Sequence, residues 1–244
     1  MVTALSEQAE LLRRNAQAQE MTSAVLGEAS SGVASGGGRG DDEEWYTPKA
    51  QSAAWLSELP RVEESREESL KRANPKYRDF SQGLSAAFNA IGLLESSGEW
   101  RNNCGYAAIA YDMRRRGFDV EAKPDLNGDT YMNLAAAYAD PVSGQPGEWE
   151  TTGDKTATVD RLTEYGTGAR AMVVVEWEGR SGAHAFVAEN VNGRIDFLDP
   201  QNPAGNADSY FDRAEPGKVM VLRLDDLEPR SNPMKHQMVE ENGS

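Results

Sequence analysis

The chain has 244 residues, 39% of them apolar, and a formal net charge of −15 at pH 7. This charge argues against general binding to nucleic acid or to a membrane surface, and a single cysteine excludes an internal disulfide framework. No apolar run reaches the length of a membrane span and the first residues lack a signal-peptide core, so we expect an acidic, soluble protein.

The first 95 residues predict helices that are interrupted by a linker. Residues 1–26 carry apolar side chains at helical spacing and predict a helical arm. Residues 27–48 are rich in glycine and serine and then in acidic side chains, which is typical of a flexible linker. Residues 49–95 return to helical spacing, most clearly in the stripe Leu84, Ala87, Phe88, Ile91 and Leu94.

Residues 96–228 predict a second region, in which one helix is followed mainly by strands. The helix is expected over residues 104–116, and Gly117 suits the position after a helix end. A short strand, a short helix and four further strands are expected over residues 118–122, 131–139, 169–177, 183–191, 194–198 and 219–224. Asn192-Gly193 is a strong signal for a type I′ hairpin turn. Residues 229–244 predict a flexible tail.

This order of elements predicts an α+β fold, preceded by a mostly helical N-terminal region. One helix would carry Cys104 and pack on an antiparallel sheet that carries His184. The arrangement resembles papain-like enzymes, in which a helix N-terminus presents the thiol to a histidine on a facing sheet.

Cys104 lies where a polar loop turns into the predicted helix. Asn102 or Asn103 would be the N-cap, so the thiol would lie in the first helical turn. Free amide N–H groups and the positive end of the helix dipole stabilise a thiolate there, and the thiolate is the reactive form of cysteine. The position is therefore typical of a nucleophile.

His184 and Asp199 would complete a catalytic set with this cysteine. The hairpin turn at Asn192-Gly193 folds the next strand back beside the histidine strand, so these two side chains nearly meet. Pro200 ends that strand directly after the aspartate. Candidates for an oxyanion hole are the backbone N–H of Cys104 and the side chains of Asn102, Asn103 and Gln201.

A structural role explains the same residues. A lone cysteine is more often a small core residue than a nucleophile, and a histidine in a strand is usually structural. The arginine run at residues 114–116 is typical of a solvated helix end. One cysteine and two histidines do not form a metal-ligand set, so we expect no metal and no cofactor. The residues alone leave catalysis and a structural role open.

Five segments occur in an order that a known family shares. They are Asn103-Cys104, Ala110 to Pro124, Gly168 to Ala171, Gly182 to Phe186 with Asn192-Gly193, and Asp199 to Gln201. Together they resemble the papain-fold toxin family, which comprises glutamine deamidase-like domains of bacterial polymorphic toxins. Very similar segments occur in minor head proteins of phages that infect actinobacteria. The resemblance covers roughly residues 96–228.

The resemblance implies that Cys104 is the nucleophile, that His184 is the base and that Asp199 orients it. It also implies deamidation of a protein glutamine, which the residues alone do not separate from proteolysis. Two positions depart from the family: Ala183 stands where glycine often precedes the histidine, and Val187 stands where a small polar residue or Asn is frequent. Both departures concern the substrate groove.

Two functions therefore compete. The first is a papain-like cysteine hydrolase that acts on a protein substrate and is carried by a phage particle or a toxin system. The second is a minor head or connector protein of a phage, which would keep the fold without catalysis and bind other head proteins through its N-terminal helical region. Either function predicts a location in a virion or in the host cytoplasm, with no nucleic acid or membrane as partner.

Overall fold

A computed structural model describes residues 49–77, 100, 102–125 and 131–240. The predicted arm at residues 1–26, the predicted linker at residues 27–48 and the apolar stripe between Leu84 and Leu94 lie outside the described residues. In the part of the chain that is described, no helix combines the length and the apolar character that crossing a bilayer requires.

Helices and strands alternate along the described chain. The helices are α1 (Lys49–Glu58), α2 (Arg66–Arg72), α3 (Cys104–Arg115), α4 (Tyr131–Ala136), α5 (Lys155–Tyr165) and α6 (Ser231–Gln237), with a 3₁₀ helix at Ala207–Arg213. The strands are β1 (Val120–Ala122), β2 (Tyr138–Ala139), β3 (Glu150–Thr151), β4 (Arg170–Trp177), β5 (Ala183–Val191), β6 (Arg194–Leu198), β7 (Ala214–Arg223), β8 (Glu228–Pro229) and β9 (Met238–Glu240). The predicted α+β class is confirmed.

Five strands form an antiparallel sheet in the order β3-β7-β4-β5-β6. The pairing of β4 with β5 places Val175 opposite His184, so the histidine lies near one end of the sheet. At the other end of β5, Asn192 and Gly193 both have positive φ, as the predicted type I′ turn requires. The predicted hairpin is therefore confirmed.

The sheet has an apolar core on each of its two faces. Both cores receive side chains from the same central strands, because successive side chains of a strand point to opposite sides. Met172, Val174 and Val187 pack towards α3 in one apolar core. Val173, Phe186 and Val221 pack into a second core with Leu162 of α5 and the 3₁₀ helix. Alternate residues thus fill two cores, and the cysteine helix covers one face.

The last described residues belong to the fold, so the predicted flexible tail is wrong for residues 229–240. β8 pairs with β2, and β9 pairs with β1. Between them, α6 buries Met234 in the core that contains Trp55 of α1. The sequence carries too few apolar residues here to signal these elements, and it is the tertiary pairing that orders them.

Three further elements differ from the sequence expectation. Helix α5 was not predicted because it buries only Thr158 and Leu162, which is too weak a stripe to stand out. The predicted helix at residues 131–139 ends at Ala136, since Tyr138 and Ala139 pair with β8 instead. Strand β7 begins before the predicted residue 219, and its first residues include a Pro and a Gly, which obscure the strand pattern.

The arginine run at the end of α3 is bonded within the fold, with Arg114 buried and Arg115 and Arg116 half-buried, so the expectation of a solvated helix end is wrong. Arg114 donates to Glu64 through two nitrogens, at 2.7 and 2.8 Å, and to Asp119 at 2.9 Å. Arg116 is bonded to the buried Asp112 and to carbonyls near β8. The two bonds to Glu64 attach the C-terminal end of the cysteine helix to the segment that carries α2.

Candidate active site

Cys104 is the first residue of α3, and its thiol is free and half-buried. The next residue, Gly105, lies against Leu134 of α4 so closely that a Cβ there would come within 2.5 Å of the leucine side chain. Glycine therefore lets α4 pack directly on the first turn of the cysteine helix. The predicted placement of the thiol in the first helical turn is confirmed.

His184 is the second residue of β5 and points towards the aspartate that follows β6. Its Nε2 lies 3.0 Å from Asp199 Oδ2. Antiparallel pairing of β5 with β6 brings the two residues together, because Val187 is opposite Leu198, the residue before the aspartate. The hairpin argument from the sequence thus gave the correct juxtaposition of histidine and acid.

Asp199 is buried and accepts hydrogen bonds at both oxygens. Oδ1 accepts from the backbone N–H groups of Gln201, at 2.9 Å, and Asn202, at 3.2 Å. Oδ2 accepts from the hydroxyl of Tyr210 at 2.6 Å, in addition to His184. A buried carboxylate with this many donors is held in one orientation.

Cys104 lies close enough to the His184 ring to influence the pKa of that ring. Burial by itself would lower the pKa of His184, but hydrogen bonds with Asp199 and Cys104, together with the negative charges of both groups, raise it to about 10. The ring is therefore an imidazolium at neutral pH. Because Nε2 is engaged with the carboxylate, Nδ1 is the ring nitrogen left for the sulfur.

Aromatic side chains surround the histidine. Tyr210 packs edge-on against the ring of His184, with 4.7 Å between centroids. Trp177 and Phe186 lie nearly parallel to it, at 6.1 and 6.3 Å. These three aromatic rings shield the bond between His184 and Asp199 from water, and they limit rotation of the imidazole.

The three side chains predicted as oxyanion-hole donors, those of Asn102, Asn103 and Gln201, occupy different environments. The Asn103 side chain is buried and donates to Asn74 Oδ1 and to the Lys123 carbonyl, while its Oδ1 accepts from Asn74 and Gln201. These bonds commit the Asn103 amide to contacts within the fold. Asn103 is the N-cap of α3 by its backbone position, but its side chain makes no capping hydrogen bond. Gln201 is buried beside it, whereas Asn102 is exposed.

Sequence reasoning missed two residues at this site. Tyr210 lies in the 3₁₀ helix, where no strand or helix pattern marks it. Asn74 follows α2 and exchanges two 3.1 Å hydrogen bonds with Asn103, so it supports the residue before the cysteine from a distant segment. Neither position has a spacing or motif in the sequence that relates it to Cys104.

Over residues 49–77, 100, 102–125 and 131–240, no group of three or more His, Cys, Asp or Glu side chains is arranged to hold a metal ion. The three predicted catalytic side chains at the site are a thiol, an imidazole and a carboxylate.

Comparison with protein families supports the resemblance seen in the sequence. Residues 102–203 match the model of a family described as papain fold toxin 1, glutamine deamidase. The match begins just before Cys104 and ends just after Asp199, so it includes His184. Comparisons with curated proteins and with solved structures gave no significant match.

Proposed function

We propose that the chain hydrolyses the side-chain amide of protein-bound glutamine, because residues 102–203 match the model of a family described as papain fold toxin 1, glutamine deamidase. The observation that carries the proposal is the 3.0 Å bond between His184 Nε2 and Asp199, with Cys104 close enough to the same ring to raise its pKa. A thiol beside an imidazole that is oriented by a carboxylate is the arrangement that nucleophilic catalysis by cysteine requires.

In the first half of the reaction, Cys104 is the nucleophile. The imidazolium of His184 stabilises the neighbouring thiolate by charge attraction, and the sulfur attacks the carboxamide carbon. The C–N bond then breaks as His184 Nδ1–H gives its proton to the leaving nitrogen, so that ammonia departs. The enzyme is left as a thioester with a neutral imidazole.

In the second half, water completes the hydrolysis. His184 takes a proton from water, the oxygen attacks the thioester carbon, and the C–S bond breaks to give glutamate and the Cys104 thiolate. Asp199 stabilises the imidazolium in both halves and does not itself exchange a proton. Glutamine and water are thus converted to glutamate and ammonia.

The negative oxygen of the tetrahedral intermediates needs hydrogen-bond donors. The backbone N–H of Cys104 is a suitable donor, because it is at the start of α3 and has no carbonyl one turn earlier within the helix. Gln201 is the stronger of the side-chain candidates, because only one of its two amide N–H bonds is needed for the bond to Asn103. We assign the two donors to these groups and give Asn103 a positioning role.

The test is mass spectrometry of candidate host proteins after incubation with the native protein and with Cys104→Ala. We expect the native protein alone to increase the mass of a specific glutamine by about one dalton, the change from amide to acid. A Tyr165→Phe variant is the matched control, because its hydroxyl contacts Glu150 away from the site. Identical spectra for native protein and Cys104→Ala on every substrate would refute the proposal, and cleavage of a peptide bond would redirect it to proteolysis.

Carriage by a phage particle and the alternative role as a head or connector protein stay predictions. Both depend on an N-terminal arm and linker, at residues 1–48, that lie outside the described residues. The predicted location in a virion or in the host cytoplasm depends on the same choice. Cosedimentation of the chain with phage heads, and its loss on removal of residues 1–40, is the outcome that would favour the structural role.

A further inference from the structure

Two exposed arginines lie beside the histidine of the candidate site. The guanidinium carbon of Arg180 is 4.9 Å from the centroid of the Trp177 ring, and that of Arg213 is 4.7 Å from the same centroid. Trp177 is the ring that lies nearly parallel to His184. Arg213 also lies over Tyr210, whose hydroxyl holds Asp199.

These two guanidinium groups are unusual within the described residues because neither contacts an oxygen. The other described arginines pair with carboxylates or, in the case of Arg61 and Arg230, donate to backbone carbonyls. The paired arginines are Arg66, Arg72, Arg114, Arg115, Arg116, Arg161, Arg170, Arg194 and Arg223. In a chain with a net charge of −15, two arginines without an acidic partner at one place need an explanation.

The positions of both arginines over Trp177 leave their hydrogen-bonding capacity unused. A guanidinium group that lies over a ring presents its face to the π system, and its N–H donors point outward in the plane. Two such N–H donors of one guanidinium group match the spacing of the two oxygens of a carboxylate. The acidic neighbours along the chain, Glu178 and Asp212, form no ion pair with either arginine within the described residues.

We propose that Arg180 and Arg213 form a carboxylate-binding clamp that selects glutamines flanked by acidic residues on the substrate protein. This inference rests on the proposed function, because it concerns substrates of the same site. A glutamine that enters between Cys104 and His184 brings its neighbouring residues over Trp177, where the two arginines bind an aspartate or glutamate side chain. Arg180 and Arg213 are specificity-determining residues, since they contact the substrate away from the reacting amide.

The first arm of the test uses glutamine peptides that differ only in the residues beside the glutamine. We expect native protein to favour acidic over lysine flanks in kcat/KM by about fivefold or more at low ionic strength. The variant Arg180→Gln/Arg213→Gln should reduce this preference to near parity. Arg194→Gln is the control for the loss of one arginine charge, because that residue lies at the opposite end of β5, about 25 Å along the strand.

The second arm needs no turnover. It measures the effect of the two arginine charges on the alkylation rate of Cys104, which is the chain's only cysteine. Cys104 is alkylated with iodoacetate, an anion, and with iodoacetamide, a neutral analogue. The ratio of the two rates should fall about two- to threefold for each arginine removed, and the difference should disappear in about 1 M salt. The Arg194→Gln control should leave the ratio unchanged.

The two arms separate the clamp from the reaction. No deamidation of any peptide, with a fall in the alkylation ratio, would refute the proposed function and leave an anion-binding clamp. The clamp would be overturned if the double variant kept the native ratio of iodoacetate to iodoacetamide rates. It would also be overturned if the double variant kept the native preference for acidic flanks. Either result would count whether or not the protein is an active deamidase. A sulfur that reacts with neither reagent would overturn both proposals.

Discussion

Asp199 receives its donors from three different parts of the chain, and Tyr210 is the one that the family match does not include. The tyrosine hydroxyl and His184 Nε2 bond to the same carboxylate oxygen. Both donors share the negative charge of that oxygen, so each limits how strongly the other is held. The orientation of the histidine therefore depends on a residue outside the matched segment.

Replacement of Tyr210 by Phe should disturb the histidine while it keeps the aromatic packing. Loss of one hydrogen bond to a charged group should lower the free energy of unfolding by about 1.5–3 kcal/mol and reduce kcat/KM about tenfold. The pKa of His184 should rise further, because the carboxylate charge is no longer shared. With two histidines in the chain, NMR titration of the ring protons measures this directly.

Tyr165→Phe is the control for that experiment, since it removes a hydroxyl bond to Glu150 on the surface of α5. A Tyr210→Phe protein whose histidine titration overlays that of the native chain would show that the hydroxyl only supports the fold.

The raised pKa of His184 also predicts how stability depends on pH. The folded protein holds the imidazole proton up to about pH 10, whereas the unfolded chain loses it near 6.5. The stabilising contribution is therefore complete below pH 6.5 and is lost as the pH rises to 10. Urea unfolding at pH 6 to 10 should show a steeper loss of stability for the native protein than for His184→Gln. Parallel curves would contradict the assignment.

At the scale of elements, the cysteine helix α3 is anchored at both ends to the segment before it. At its start, Asn103 is bonded to Asn74, and at its end, Arg114 is bonded to Glu64. Both partners lie outside the matched residues 102–203. Cys104 is therefore positioned by residues that are not part of the matched segment.

The bond between Arg114 and Glu64 at the end of α3 predicts that replacing Arg114 would strongly destabilise the fold. Arg114 and Glu64 have side chains that are almost completely buried, and Asp119 shares the same guanidinium group. Arg114→Leu should destabilise the fold by about 3–5 kcal/mol, because two carboxylates are left near an apolar side chain. Arg223→Leu, which breaks a more exposed pair with Asp225, should cost much less in the same chemical denaturation experiment.

The elements that sequence patterns predicted well are those with strong periodicity. Helix α3 and strands β4 to β6 were placed within a residue or two, and their order brought Cys104, His184 and Asp199 together. The missed elements, such as α5 and α6, are short or polar and gain their order from contacts with distant segments. Tyr210 and Asn74 were missed for the same reason, since their partners are known only once the chain has folded.

At the scale of the whole molecule, the fold extends well beyond the matched residues. β7 lies inside the sheet, between β3 and β4, although it follows residue 203 in the chain. Helices α1 and α6 cover the core that α3 enters. The papain-like unit is thus completed by segments on both sides of the family match.

A fragment comprising residues 102–203 should therefore fail to fold. It lacks β7, so one edge of β4 would lose its hydrogen-bonding partner, and it lacks Glu64, which neutralises the buried Arg114. We expect circular dichroism of the fragment to show no cooperative thermal transition, whereas residues 49–240 should show one. A cooperative transition in the short fragment would contradict this view of the fold.

The interior position of β7 bears on how the protein is made. During translation, β4, β5 and β6 leave the ribosome before residues 214–223, and Tyr210 emerges only shortly before that strand. A nascent chain stalled before Tyr210 holds Cys104, His184 and Asp199 but neither β7 nor the tyrosine hydroxyl that donates to Asp199. We expect Cys104 of such a stalled chain to react more slowly with iodoacetamide than Cys104 of the released protein, so that the site would form only after residues 210–223 have left the ribosome.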